Sequence, residues 1–189
     1  LSKIENNLFT NKNNTKAAIY VVRDPRNVIT SLSHHYDMSL EESFNFLTDK
    51  NIGLINRKID SSVVTTIGDW SNNYKSWKNL KFSPLLIIKY EDLIIDVKKT
   101  FLSVLNFLKD FMDIKNEENK ILKTIESCSF DRLAKNEEIK GFNESVYSAK
   151  KDKKLKFFYL GKKNNWKNLL NPEMEKKIRR VFEEEMKEL

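Results

Sequence analysis

The sequence is poor in several residue types, and each shortage narrows the kind of protein it can be. A single cysteine, Cys128, excludes an internal disulfide, which suits a reducing compartment. No apolar run approaches the roughly 20 residues that a membrane-spanning helix needs, and no signal-peptide pattern is present. We therefore expect a cytoplasmic protein without a membrane partner.

Glycine and histidine are also scarce. The four glycines are far apart in the sequence, so a glycine-rich phosphate-binding loop is absent. The two histidines, His34 and His35, do not belong to a cluster of cysteines and histidines with the spacing of a metal site. We accordingly expect no bound metal.

The sequence does contain enough hydrophobic residues for a folded core, together with an excess of positive charge. The 189 residues are 40% hydrophobic, which suits one domain, and the net charge is +7. Such an excess can attract an anionic partner, for example nucleic acid or a phosphorylated small molecule. Most of the basic residues are lysines in a chain that is also rich in Asn and Ile, so an AT-rich gene explains the charge equally well. The positions of individual cations therefore matter more than the total.

The two ends of the chain suggest a fragment. The sequence does not begin with methionine, and its last residues, EEEMKEL, stop abruptly. We expect a single domain over residues 1–189 that is incomplete at the N-terminus and clipped at the C-terminus.

Two apolar runs predict buried strands. Residues 17–22 and Leu85–Lys89 are continuous apolar runs, the pattern of strands that are covered on both faces of a parallel sheet. After the first run, Asp24 and Pro25 predict the start of a helix that reaches about residue 36 or 37. Apolar spacing and capping residues predict further helices over residues 39–49, 63–80, 96–111, 117–128, 129–138 and 171–189. This alternation predicts an α/β fold of three layers, with a central parallel sheet flanked by helices.

Ligands of such sheets bind beyond the carboxyl ends of the strands, which selects the residues after Val22 and after Lys89. Arg23 follows the first strand and lies at the N-terminus of a helix, where backbone N–H groups and the helix dipole favour an anion. Its guanidinium suits bidentate recognition of a phosphate, and Ser31, two turns into the helix, can add a hydroxyl donor. In the alternative interpretation, Arg23 only pairs with a nearby carboxylate and Ser31 is an ordinary helix residue.

Two other segments are candidates for the same ligand. Tyr90 directly follows the second strand, where its ring can stack on a flat base; alternatively, it belongs to the core. The segment KFFYLGKKNNWKN, residues 156–168, combines aromatic residues and a glycine with lysines that can act as point charges for phosphate. There Trp166 can anchor the loop or face a base, and the alternative is a solvated basic loop or a nucleic-acid patch.

Taken in order, the segments RDPRNVITS, KYEDL and FFYLGKKNNWKN resemble the cytosolic-type sulfotransferase family, whose donor is 3′-phosphoadenosine 5′-phosphosulfate (PAPS). The resemblance runs from about residue 17 to residue 189. It implies the sulfotransferase form of the P-loop nucleotide-triphosphate-hydrolase fold, with the first strand and the phosphate loop missing from this chain. It also implies transfer of a sulfuryl group to a hydroxyl or amine of a small-molecule or glycan acceptor.

Position by position, the resemblance implies a donor site. Arg23 and Ser31, which are eight residues apart, would bind the 3′-phosphate, and Tyr90 would contact the adenine region. In the segment SCSF, Cys128 takes the place of the threonine in the family's TSF segment, and Phe130 takes that of its adenine-side aromatic residue. The segment that would close over the 3′-phosphate, FxRKG in the family, corresponds to Phe157, Phe158, Tyr159, Leu160 and Gly161.

The chain departs from the family pattern in the last of these segments. Tyr159 and Leu160 replace the usual Arg-Lys pair, so two expected cationic contacts are absent. Lys162 and Lys163 are candidates to restore the charge. Before the matching Trp-Lys pair, two asparagines stand where the family has glycine and aspartate. These changes indicate a divergent, bacterial-type relative.

The resemblance places the catalytic groups upstream of Leu1. The phosphate loop with its lysine, which holds the 5′-phosphosulfate, and the catalytic histidine would both lie there. We therefore expect no catalytic residue in this chain and no activity from the chain alone. His34 and His35 lie in the helix after Arg23, away from the position of the family's histidine.

Two other functions are compatible with the sequence. One is a kinase-like nucleotide-binding α/β protein, which would prefer ATP to adenosine 3′,5′-bisphosphate. The other is a basic nucleic-acid-binding module that uses the lysines of residues 150–167, although the arginines lie elsewhere, so that we expect no nucleic-acid partner. The family builds its acceptor pocket from variable loops, here residues 37–66 and 140–156, so the sequence leaves the acceptor and the oligomeric state open.

Overall fold

The computed structural model describes residues 3–4, 7–8, 10–55, 64–115 and 117–189. In these ranges the chain alternates between short strands and helices. The strands are β1 (Lys3–Ile4), β2 (Asn7–Leu8), β3 (Ala18–Val22), β4 (Gly53–Ile55), β5 (Val64–Thr66), β6 (Leu85–Lys89), β7 (Tyr147–Ser148) and β8 (Lys153–Lys154). The helices are α1 (Pro25–His35), α2 (Leu40–Thr48), α3 (Trp70–Lys78), α4 (Tyr90–Ile95), α5 (Val97–Leu108), α6 (Glu118–Ser127), α7 (Phe130–Lys140), α8 (Trp166–Leu169) and α9 (Pro172–Met186), with a 3₁₀ turn at Gly161–Lys163.

Strands β3 and β6 pair in parallel at the centre of the fold. Their register ends with Val22 opposite Lys89. Arg23 directly follows β3 and Tyr90 directly follows β6, so the two residues lie at the same edge of the sheet. The other strands form three antiparallel pairs, β1 with β2, β4 with β5, and β7 with β8. The predicted α/β fold with a parallel sheet is confirmed.

Helix α1 begins directly after the strand, as predicted. The Asp24 side chain accepts a hydrogen bond from the Arg26 N–H, and Pro25 occupies the first helical position, where a missing N–H costs nothing. The helix ends at His35, with Tyr36 as its C-cap, close to the predicted end.

Helix α2 also begins at a predicted cap. The Ser39 hydroxyl accepts a hydrogen bond from the Glu42 N–H at 3.1 Å, and the Glu42 carboxylate accepts one from the Ser39 N–H at 2.7 Å. This reciprocal pair satisfies backbone donors that a helix N-terminus otherwise leaves unpaired.

Four helices cover one face of the β3–β6 pair. Ile29 of α1 and Ile178 and Phe182 of α9 are exposed by 1% or less, and they pack with Val22 at the end of β3. Side chains of α2 and α3 complete this cluster: Phe44, Leu47, Trp70 and Tyr74. The removal of this apolar surface from water stabilises the fold and fixes α1, the helix that carries Ser31.

Helix α5 packs against β6 and supplies the other helical layer. Ile88 is 5% exposed. Because successive side chains of a strand point to opposite faces, Ile88 points away from Ile87, which packs against the main cluster. The sheet thus lies between helices, as the sequence predicts.

The prediction that the first strand is buried on both faces is wrong. Ile19 and Val21 are 40% and 46% exposed, whereas Val22 is 1% exposed. Helix α5 packs against β6 rather than β3, so the described helices leave one face of β3 uncovered. A continuous apolar run therefore predicts a strand here, but it does not predict how many faces of the strand are covered by helices.

The predicted helix over residues 63–80 is wrong over residues 64–69, whereas residue 63 lies outside the described residues. Val64–Thr66 form β5, which pairs with β4, and α3 begins only at Trp70. Gly68 has a φ of +70°, which interrupts any helix at this point, and the side chain of Asp69 caps α3. The β-branched residues of the β5 segment favour a paired strand.

Candidate functional site

The edge at which β3 and β6 end brings Arg23 and Tyr90 together. The guanidinium of Arg23 lies over the Tyr90 ring, with Cζ 4.3 Å from the ring centroid, which is a cation–π contact. Tyr90 begins α4, and Glu91 follows in the first turn, where a negative charge is favoured. Tyr90 therefore orients the arginine, and its contact with a base stays a prediction.

Arg23 is a half-buried cation with unused hydrogen-bond donors. Its Nη1 donates to Oγ of Ser31 at 3.1 Å. Its Nε and Nη2 are buried and have no acceptor among the described residues. Burial lowers the pKa of the Arg23 guanidinium, while the neighbouring Tyr90, Glu91 and Asp24 oppose that shift. The site therefore holds a desolvated positive charge, and its Nε and Nη2 have no partner in the part of the chain that the structure describes.

Ser31 connects this arginine to the segment near residue 164. Its Oγ accepts hydrogen bonds from Nη1 of Arg23 at 3.1 Å and from Nδ2 of Asn164 at 2.6 Å. Asn164 follows the 3₁₀ turn and is 9% exposed. The structure thus joins the two predicted residues, Arg23 and Ser31, with a third that sequence reasoning missed. The one available signal was that Asn164 replaces a glycine of the family's segment.

Trp166 anchors the same segment to the start of α1. The backbone N–H of Trp166 donates to Oδ1 of Asn27 at 2.9 Å, and Cζ of Arg26 lies 3.9 Å from the centroid of the Trp166 ring. Arg26 is paired with Asp24 at 2.6 Å and with Glu175 at 3.4 Å. The sequence allowed Trp166 either to anchor the loop or to face a base, and these contacts are those of an anchor.

Aromatic residues hold residues 157–161 against the start of α7. The Phe130 ring lies against Gly161, whose φ is +54°, and makes an edge contact with Phe158 at a centroid distance of 6.1 Å. Phe142 packs on Phe157 and Phe158, at centroid distances of 4.7 and 5.2 Å. The structure therefore brings together four predicted site residues: Phe130, Phe157, Phe158 and Gly161.

A carboxylate that sequence reasoning missed fixes the backbone of this segment. Glu137 of α7 accepts hydrogen bonds from the N–H groups of Phe157 at 2.7 Å and Phe158 at 2.9 Å, and from the Ser145 hydroxyl at 2.6 Å. Burial acts to raise the pKa of Glu137, but these hydrogen bonds and the nearby Lys156 outweigh it and lower that pKa. Glu137 is one acid in a run of charged helix residues, so no local pattern marks it.

Tyr159 ties the segment to the end of α1. Its ring stacks on His34 with centroids 3.7 Å apart and planes 6° from parallel. Nε2 of His34 lies 2.8 Å from the carbonyl oxygen of Lys156. Tyr159, which stands where the family has arginine, is 54% exposed at the rim of the segment. These contacts give His34 a structural role.

Four positions that the sequence singled out make no hydrogen bond to Arg23 or its partners within the described residues. Cys128 is exposed at the C-terminus of α6. Leu160 comes just before the 3₁₀ turn and is half-buried, while Lys162 and Lys163 lie exposed in that turn without an ion pair in the described ranges. What each contributes to ligand binding stays a prediction.

The loops predicted for the acceptor pocket are described only in part. Residues 56–63 lie outside the described residues, and Leu40–Thr48 form α2 rather than a loop. In the second region, β7 and β8 form a short hairpin in which Ser148 is 1% exposed and its hydroxyl donates to the Asp37 carboxylate.

Neither a metal cluster nor a membrane span is found in the described ranges. No group of three or more His, Cys, Asp or Glu side chains there is arranged to hold a metal ion. No helix among these residues is long and apolar enough to cross a membrane.

Comparison with known proteins identifies relatives over almost the whole chain. Residues 4–189 match the family described as "Sulfotransferase domain". The amine sulfotransferase of Oryctolagus cuniculus is 26% identical over 186 residues, which are 94% of this chain and 56% of that protein. The luciferin sulfotransferase of Photinus pyralis is 26% identical over 168 residues, which are 87% of this chain and 42% of that protein. The chain thus spans about half the length of the curated relatives it matches.

A solved structure shows the same fold. The crystal structure of mouse sulfotransferase SULT7A1 complexed with PAP matches 93% of this chain and 59% of that chain, with a TM-score of 0.61 and 22% identity. At this identity the likeness concerns the fold alone. The family match covers residues 4–189 and agrees with the motifs at the ends of β3 and β6, so the chain belongs to the sulfotransferase domain family.

Proposed function

We propose that this chain contributes the 3′-phosphate site of a sulfotransferase that uses PAPS as its donor. The observation that carries the proposal is the burial of Nε and Nη2 of Arg23 without an acceptor among the described residues. Buried polar groups are nearly always paired, and leaving one unpaired costs about 1–3 kcal/mol, more for a charged group. A phosphate, whose oxygens only accept, would supply the missing partner.

The carboxylates near Arg23 are already engaged, which argues against a purely structural ion pair. Asp24 pairs with Arg26 at 2.6 Å. Glu91 accepts a hydrogen bond from the Asp24 N–H at 3.4 Å, and no ion pair joins it to Arg23 in the described ranges. The N-terminus of α1 adds further positive potential at the same edge of the sheet.

The aromatic residues around this position suit the adenosine part of the donor. Tyr90, Cys128, Phe130 and residues 157–161 would surround it, in the arrangement that the family resemblance implies. PAPS would supply the sulfuryl group and leave as adenosine 3′,5′-bisphosphate (PAP), the ligand named for the mouse SULT7A1 structure.

The proposed acceptor is a small molecule with a hydroxyl or amine group. The names of relatives support this class, since they include an amine sulfotransferase, a luciferin sulfotransferase and a flavonol 3-sulfotransferase. A cytoplasmic location and the absence of a nucleic-acid partner stay predictions from the sequence.

Isothermal titration of the chain with PAP tests the proposal. Replacement of the charged donors in Arg23→Gln should weaken PAP binding by about 10–100-fold, since a hydrogen bond to a charged group contributes about 1.5–3 kcal/mol. Adenosine 5′-monophosphate, which lacks the 3′-phosphate, should bind both proteins with similar affinity. Arg180→Gln, at an exposed position of α9, is the matched control and should leave PAP binding unchanged.

Three outcomes would contradict the proposal. Unchanged PAP affinity in a folded Arg23→Gln protein would remove Arg23 from the site. Tighter binding of ATP than of PAP would favour a kinase-like nucleotide site. Nucleic-acid binding with a steep salt dependence and no competition by PAP would favour the nucleic-acid module.

A further inference from the structure

We propose that Asn164 is a positioning residue that turns the hydroxyl of Ser31 into an obligatory donor toward the phosphate bound by Arg23. This inference rests on the proposed 3′-phosphate site and adds a residue to it. Asn164 is separated from Ser31 by 133 positions and contacts it through Nδ2 at 2.6 Å. The family segment that this chain resembles has glycine here, and glycine has no side chain that could make this contact.

The orientation of the Asn164 amide follows from its neighbours. One of its two terminal atoms lies 3.3 Å from the carbonyl oxygen of Asn27. A carbonyl oxygen can only accept, so that atom must be the NH₂ group. The Thr30 hydroxyl lies 2.6 Å from the other terminal atom, Oδ1, and 2.9 Å from the carbonyl oxygen of Asn27, so these two acceptors share its one proton. Asn164 is 9% exposed, and both terminal atoms of its side chain have a partner.

This orientation determines what Ser31 can do. A hydroxyl has two acceptor lone pairs and one proton to donate. The Oγ of Ser31 accepts from Nδ2 of Asn164 and from Nη1 of Arg23, so both acceptor positions are used. Its own proton has no acceptor among the described residues. Ser31 is therefore left as a donor, beside the unpaired Nε and Nη2 of Arg23.

A cluster that contains only donors selects its ligand by hydrogen-bond polarity. A phosphate dianion accepts every bond that the cluster offers. A free ribose 3′-hydroxyl brings a proton of its own and leaves donors unpaired, which is costly at a buried position. Asn164 should therefore strengthen the preference for a 3′-phosphorylated nucleotide over one with a free 3′-hydroxyl, and it does so without touching the ligand.

A double-mutant cycle separates this role from general support of the fold. PAP and adenosine 5′-monophosphate are titrated into the wild-type chain, Asn164→Ala, Ser31→Ala and the double variant. We expect Asn164→Ala to weaken PAP binding about 5–10-fold and to leave adenosine 5′-monophosphate binding unchanged. In the Ser31→Ala background, the same substitution should change PAP affinity by less than about twofold, since it acts through the hydroxyl.

A second variant keeps the size of the side chain. In Asn164→Asp, a carboxylate accepts the proton of Ser31 and adds negative charge, so PAP binding should be weak near pH 8. The loss of PAP affinity should exceed that of Asn164→Ala, which removes the contact with Ser31 without adding a charge. Asn165→Ala is the control, since the Asn165 amide accepts from the Lys167 N–H and does not contact Ser31.

The inference is overturned if Asn164→Ala leaves PAP affinity unchanged. It is equally overturned if Asn164→Ala lowers PAP affinity by the same factor with and without the Ser31 hydroxyl. It is also overturned if Asn164→Asp binds PAP as tightly as the wild type near pH 8. If Arg23→Gln weakens PAP binding in the same assay, these results reject the role of Asn164 alone. If Arg23→Gln has no effect either, the 3′-phosphate site itself is rejected.

Discussion

The ring of Phe130 lies against the α-carbon of Gly161, so closely that a Cβ at this position would come within 2.9 Å of three ring carbons. Gly161 also has a φ of +54°, a conformation that favours glycine. This contact joins α7 to the segment that is proposed to close over the 3′-phosphate. Two independent reasons therefore demand glycine at residue 161.

Gly161→Ala should destabilise the chain and displace the segment. Backbone strain and overpacking against the ring together should lower the free energy of unfolding by about 1–3 kcal/mol in urea denaturation. PAP affinity should also fall. The control is Gly141→Ala, at a position with a similar φ of +72° but with no atom of the described residues within 4 Å of the added Cβ. If the Phe130 contact matters, Phe130→Ala should restore part of the stability that Gly161→Ala loses. If Gly161→Ala lowers the free energy of unfolding no more than Gly141→Ala does, the contact with Phe130 does not matter.

Glu137→Gln should loosen the backbone of the same segment. The charged acceptor holds the N–H groups of Phe157 and Phe158, so these two amides should exchange hydrogen faster, and unfolding should require about 1–2 kcal/mol less. Glu138→Gln is the control, because Glu138 lies on the exposed side of α7 in a surface pair with Lys156. If these two amides exchange at equal rates in the wild type and in Glu137→Gln, the carboxylate does not hold the backbone of the segment.

The contribution of Glu137 should depend on pH with a definite sign. Its pKa is lowered in the folded chain, so its stabilising effect is present above the unfolded-state pKa of about 4.3. That effect is lost as the pH falls through the lower folded-state pKa. The stability difference between wild type and Glu137→Gln, measured by denaturation, should therefore shrink toward zero on acidification. A difference that grows at low pH would be inconsistent with this assignment.

Glu185 is a buried carboxylate that should stabilise the packing of α9 on α3. It is 4% exposed, accepts from the Ser71 hydroxyl, and pairs with Lys75 at 2.7 Å. Burial acts to raise its pKa, but Lys75 and Ser71 lower it overall. Glu185→Gln should lower the melting temperature at pH 7 by several degrees, since 1 kcal/mol corresponds to about 2–4 °C in a chain of this size. The exposed Glu184→Gln should leave it unchanged, and equal melting temperatures for the two variants would refute the role of Glu185.

Local signals predicted much of the fold, because they act over a few residues. Asp24 and Pro25 start α1, and the Ser39–Glu42 box starts α2, through contacts that the nearest residues complete by themselves. The same local signals were misleading between residues 64 and 69, where the pairing of β5 with β4 overrides the helical spacing. The partners of β5 lie in β4, before the window of residues 63–80 in which the helical spacing was read, so that window does not contain the pairing.

The sequence by itself determined the two strand tips, the arginine after β3 and the tyrosine after β6, because apolar runs and turn residues are read in order along the chain. Only the tertiary structure decided which groups meet there. Asn164 reaches Ser31 across 133 positions, and Glu137 holds backbone N–H groups 20 and 21 residues away. Hydrogen bonds form between groups that are about 3 Å apart in space. These groups come that close only when α1 and α7 pack against residues 157–165.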